Sequence, residues 1–149
     1  MNFIPELTLQ DAKRVAAAAT AYATERGWTV VVAIVDAGGH TLYLERADGT
    51  QRASSVIAEE KARTAILFKR PSKAIQDMVL NGRIMMMQLP GVTPVEGGVP
   101  LIVDGHYVGA IGVSGFCHPR MVRSQPRALK HFNLFMHRYG PAPRSDFWS

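Results

Sequence analysis

The sequence predicts a mixed α/β domain of the α+β kind, built on an antiparallel sheet with helices packed on one face. Three observations carry that prediction. Val99–Val103 and Tyr107–Val113 are strand-like runs joined at Asp104-Gly105, a pair suited to a type I′ turn because both central residues of that turn need positive φ. Val30–Val35 and Thr41–Arg46 form a second such pair around Asp36-Ala-Gly-Gly-His40. Elsewhere, apolar residues recur at helical rather than alternating spacing.

The elements follow in chain order. Thr8 with Asp11 three residues on approximates a capping box. Ala12, Val15, Ala16, Ala19, Tyr22 and Ala23 then trace one helical face, and Gly27 is placed to end the helix. The two strands over 30–46 come next and close at the Asp48-Gly49 turn. A second helix is predicted over Ser54–Phe68, with Ile57, Ala58, Ala62, Ala65 and Phe68 on its apolar side. Arg70-Pro71-Ser72 ends it, and Ser72 is expected to cap a third helix reaching about Val79. Met85–Met87 read as gap-fillers or interface residues rather than metal ligands. The final hairpin is rich in glycine at Gly97, Gly98, Gly109, Gly112 and Gly115. Those positions imply tight sheet packing or close backbone approach by a ligand or another chain.

The whole chain sets the bounds. A length of 149 residues suits one domain with a genuine core, and 47% apolar with 19% charged residues is ordinary for a globular protein. A single cysteine, Cys117, excludes an internal disulfide framework and fits a reducing, cytoplasmic setting. Met1–Leu7 contains Pro5 and Glu6 and does not read as a secretory signal; no apolar run approaches a membrane span. The net charge of +5 lies in the tail. Residues 1–117 hold 11 basic and 11 acidic residues, and residues 118–149 hold 6 basic and one acidic. Such a tail can attract an anionic polymer or membrane, but no nucleic-acid motif accompanies it, so neither nucleic acid nor membrane is an expected partner.

Val35-Asp-Ala-Gly-Gly-His40, Glu45-Arg46-Ala-Asp-Gly49, Lys61-Ala-Arg-Thr-Ala65, Phe68-Lys-Arg-Pro-Ser72 and Gly97–Gly115 resemble, in this order, the GlcG/HbpS-like family. That family is also described as a heme-degrading domain and includes the C-terminal domain of PduO-type proteins. The resemblance spans residues 6–115, leaving 116–149 as a divergent basic tail of the same domain. It implies a profilin-like fold and homo-oligomers, often octamers. It further implies a pocket for heme or another tetrapyrrole, as some members bind heme or corrinoids while many have no assigned activity. Without a Cys-x-x-Cys-His motif, heme would be held noncovalently.

The tail departs from the family, whose members close the domain with an acidic, alanine-rich helix. Pro119 and Pro126 oppose a continuous helix over 116–139, and at most a short one over Ala128–Tyr139 is expected. A reading-frame change near codon 116 and a natural divergent terminus are the two origins that account for it.

Candidate site residues come from the turns and the second helix. His40 is suited to general base catalysis or heme ligation by its near-neutral titration, or it is simply a solvated turn residue. Asp36 either orients His40 or Arg46, or bonds within its own turn. Lys61 and Thr64 share a helix face; Lys61 and Arg70 can bind carboxylates, including heme propionates, or pair with Glu59, Glu60 or Asp77. Glu96, before Gly97-Gly98, is an acid/base candidate in a cleft or an exposed loop acid. His40 and Glu96 are thus the candidate catalytic pair, and Asp36, Lys61, Thr64, Arg70, Gly97 and Gly98 the ligand-binding set. Cys117-His118 lacks the further ligands of a zinc site, and no assembled Ser-His-Asp arrangement or phosphate loop is legible. A tetrapyrrole-binding protein is the first functional reading. An accessory enzyme acting on a small organic acid in a catabolic pathway is the second, and an oligomeric scaffold without ligand the third.

Overall fold

The computed structural model describes residues 1–117. The first helix, α1 (Leu9–Glu25), starts at the expected capping box. The Asp11 amide donates to the Thr8 hydroxyl at 3.1 Å, and the Thr8 amide donates to the Asp11 carboxylate at 3.1 Å. At the other end the Gly27 amide reaches the Thr24 carbonyl and the Trp28 amide reaches that of Ala23, the paired closure of a Schellman cap. Strands β1 (Thr29–Asp36) and β2 (Thr41–Arg46) follow, then helices α2 (Ala53–Leu67) and α3 (Ser72–Leu80). A short 3-10 turn over Ile84–Gln88 leads to strands β3 (Gly98–Val103) and β4 (His106–Cys117).

The four strands form one antiparallel sheet in the order β2-β1-β4-β3. Asp104 and Gly105 have φ of 49° and 78°, the two positive values that a type I′ hairpin requires. The final strand runs longer than the sequence indicated, to Cys117, because Thr29 at the start of β1 still offers it a partner there. The expectations for a tail helix and an extended end lie outside the described residues.

Helices cover both faces of the sheet, not one. Val30, Val32 and Ile34 of β1 pack with Ala12, Val15, Ala16, Ala19 and Ala23 of α1. The alternate residues Val31, Ala33 and Val35 pack with Ala58, Ala62, Ala65 and Ile66 of α2. Successive strand residues point to opposite faces, so α1 and α2 sandwich the sheet between them. The uninterrupted apolar run of β1 is the physical reason: every residue from Val30 to Val35 is buried, which one covered face cannot achieve.

Helix α2 lies unusually close to β3 and β4. Gly98 and Gly112 are cross-strand partners. A Cβ at Gly112 would collide with the Ala58 carbonyl oxygen, and one at Gly98 with the Lys61 carbonyl oxygen. Bare backbone on the sheet therefore meets bare backbone on the helix, and this contact fixes Lys61 beside the start of β3.

Candidate functional site

The predicted site residues fall into two groups. One is a buried corner where α2, α3, β4 and the 91–98 segment meet. Lys61 is 5% exposed, and its Nζ donates to the Val113 carbonyl at 3.2 Å. Gly97 passes directly over it: a Cβ at that position would lie 3.0 Å from Nζ and 2.6 Å from the Val113 oxygen. Burial lowers the Lys61 amine from the ordinary 10.5 to about 8, and the Glu96 charge pulls the other way. Lys61, Glu96 and Gly97-Gly98 are thus brought together.

Three polar side chains tie the segment in place. The Ser72 hydroxyl donates to the Val95 carbonyl at 2.7 Å and accepts from the Gly98 amide at 2.8 Å. Gln76 Oε1 accepts from the Glu96 amide at 2.7 Å. The Thr64 hydroxyl donates to Gly91 at 3.0 Å and accepts from the Thr93 amide at 2.8 Å. Ser72 therefore is not the cap expected of it: Pro71 holds that position, α3 has no side-chain cap, and Ser72 points inward. Thr64, expected to face a ligand with Lys61, is fully buried and holds the loop instead. Nothing in the local sequence around Ser72 or Gln76 signals these roles, because their partners lie about twenty residues or more away.

The second group is the exposed β1–β2 turn. Asp36 Oδ1 accepts from the Gly38 amide at 2.8 Å and the His40 amide at 3.0 Å. It also lies 3.3 Å from His40 Nδ1. Burial acts to raise the Asp36 carboxyl, but the two amides and the neighbouring imidazole outweigh it, and the net shift is downward. The His40 side chain is 84% exposed. Arg63 of α2 packs beside Gly39 and pairs with Glu60 at 2.9 Å. Arg70 is not drawn into the Lys61 corner by its hydrogen bond, since its exposed side chain donates to the Phe68 carbonyl at 3.0 Å. Lys69 lies with its Nζ 5.6 Å from the centre of the Tyr107 ring.

Chemically, the two groups differ. The turn offers an imidazole whose Nδ1 faces a carboxylate, the arrangement that leaves the other ring nitrogen to bind a metal. Its outward nitrogen would hold the metal of an iron-bearing macrocycle, while the apolar cover of such a ligand would have to come from elsewhere. The corner offers a buried amine beside a carboxylate. Among the described residues there is no cluster of three or more His, Cys, Asp or Glu side chains able to hold a free metal ion.

Comparison with known proteins agrees with this architecture. Protein GlcG of Escherichia coli strain K12 is 44% identical over 108 residues, 72% of this chain and 81% of its own. A double mutant of HbpS from Streptomyces reticuli superposes with a TM-score of 0.77 at 28% identity, covering 95% of this chain and 92% of that one. A PduOC:heme complex gives a TM-score of 0.68 at 30% identity, covering 74% and 83%. The model of the family described as haem degrading protein HbpS-like matches residues 7–120, and the chain belongs to that HbpS-like family.

Proposed function

We propose that the protein is a small-ligand-binding member of its family that takes heme or a related tetrapyrrole noncovalently, with His40 as the residue that would hold its metal. The observation that carries this reading is the exposed His40 imidazole with its Nδ1 turned to Asp36. A carboxylate in that position fixes the tautomer and makes the outward nitrogen a better ligand. Membership of the HbpS-like family and similarity to a PduOC:heme complex support it. Arg63, Lys69 and Arg70 supply exposed cations at the same end of α2 for ligand carboxylates.

Self-association completes the reading. Leu80, Ile84, Met85, Met87 and Leu89 are all exposed around the end of α3 and the 3-10 turn. Clustered apolar side chains of this kind are a common interface composition, and a second copy is the occupant that the family resemblance implies. No helix among the described residues is long and apolar enough to cross a membrane.

Titration with hemin tests the ligand. The wild-type chain is expected to develop a saturable Soret band, and His40→Ala to shift or lose it. No spectral change, or an unchanged spectrum in His40→Ala, overturns the assignment.

A further inference from the structure

The three cations at the end of α2 are not equivalent. Lys69 Nζ lies 5.6 Å from the centre of the Tyr107 ring, and Arg70 Nε donates to the Phe68 carbonyl at 3.0 Å. Arg63 lies against the β1–β2 turn itself. A Cβ at Gly39 would sit 3.5 Å from Arg63 Cγ and 3.8 Å from its Nε, and the next residue along the turn is His40. The stem of Arg63 therefore backs the turn, and its guanidinium emerges beside the residue assigned to hold the ligand's metal.

That guanidinium already carries a carboxylate. Glu60, one helical turn earlier, accepts from Arg63 Nη1 at 2.9 Å. The contact is one hydrogen bond, whereas a guanidinium can offer a carboxylate two in parallel. Both side chains are open to solvent, 45% exposed for Arg63 and 33% for Glu60, so an incoming ligand can reach the pair. An exposed ion pair of this kind contributes little, and its replacement meets little resistance.

We propose that Arg63 is the residue that selects ligands bearing a free carboxylate, and that Glu60 is the internal stand-in which such a ligand displaces. The inference rests on the reading of the turn as the site for heme or a related tetrapyrrole, and it names what the site demands of the ligand's edge. A macrocycle held at His40 places its acidic substituents over the α2 side of the turn, where Arg63 exchanges one carboxylate for another. Glu60 keeps the guanidinium oriented in the free protein and disfavours ligands that have nothing to offer in its place.

Titration of the intact protein with hemin and with hemin dimethyl ester, read at the Soret band, tests this. The two ligands share ring and iron, so the difference between them reports the carboxylates. Wild type is expected to bind hemin about fivefold more tightly than the ester, the upper end of what one exposed ion pair contributes. Arg63→Ala should remove most of that difference, Arg63→Lys should restore part of it, and Arg70→Ala should leave it. Glu60→Gln should tighten hemin about twofold, the scale of an ion pair on a helix surface, and leave the ester unchanged. Glu59→Gln removes the same charge one residue away and should not do so. In the Arg63→Ala background the gain from Glu60→Gln should vanish. Equal affinity of wild type for hemin and ester overturns the inference and leaves the ligand reading standing. So does an Arg63→Ala protein that discriminates as well as wild type, or a Glu60→Gln protein that behaves like Glu59→Gln. A wild type without a Soret band for either ligand overturns both.

Discussion

The two titratable centres of this chain are built on opposite plans. At the β1–β2 turn, Asp36 and His40 sit within four residues of each other, share hydrogen bonds along a short loop and face water. At the corner, Lys61, Ser72, Gln76, Glu96 and Val113 come from four separate stretches, and Lys61 and Ser72 are buried. The turn can be altered locally, because water replaces whatever is lost. The corner depends on backbone contacts throughout the domain, and burial alters the chemistry of its amine.

Glycine substitutions separate the two plans most strongly. Gly112→Ala places a methyl group against the Ala58 backbone, where neither helix nor sheet can yield locally. A loss of about 3 kcal/mol or more is expected in urea unfolding, the upper end of overpacking costs. A midpoint within error of wild type would show that α2 can lift off the sheet. Next comes the pH response of Lys61. Its folded value of about 8 lies below the ordinary 10.5, so below pH 8 the amine is charged in both states and the folded protein bears the full burial cost. Between these values the folded state has released its proton and the unfolded chain has not, so stability rises with pH. The gap corresponds to about 3 kcal/mol. Lys61→Met should abolish this rise, read as the difference between variant and wild type in urea midpoints from pH 7 to 10.5; parallel profiles would place the amine in water.

The turn gives smaller effects. Asp36→Ala removes the acceptor for two amides that can turn to water, and about 1 kcal/mol is expected. Because the folded Asp36 carboxyl lies below its ordinary 3.8, its contribution is present above that value and fades as pH falls through the folded one. Wild type and Asp36→Ala should therefore converge in acid; a constant gap would mean that packing, not the carboxylate, is lost. Smallest is Gly38→Ala. The new methyl would lie 2.9 Å from His40 Nδ1, the end of an exposed side chain that can swing aside. Stability should change by less than about 1 kcal/mol, but hemin affinity should fall because the imidazole is displaced. Unchanged hemin spectra in this variant would separate the orientation of His40 from ligand binding.

Local signals in the sequence were sufficient wherever the physics is local. The Thr8–Asp11 box, the Asp104-Gly105 turn and the two strand pairs each rest on residues close in the chain, and all are present in the structure. The number of covered sheet faces was legible in the β1 run, yet turn-joined strands suggested a single covered face; burial on both sides of Val30–Val35 corrects this. Ser72 has the composition of a cap, but its tie to Val95 and Gly98 depends on a fold that brings residues more than twenty apart together. Lys61 and Glu96 were recognisable as chemical groups, while the enclosure that changes the amine was not, because no spacing rule encodes depth.

The pairing of Gly98 with Gly112 has a mechanical consequence. Side chains between a helix and a sheet act as a compliant layer, able to hop rotamers and absorb displacement. Here that layer is missing beneath the middle of α2, so helix and sheet are seated like a key in a slot. Arg63 on this same helix touches the β1–β2 turn, and Lys61, two residues earlier, forms the corner. A ligand that pushes on the turn therefore leans on a stiff lever whose other contact is the backbone around the buried amine.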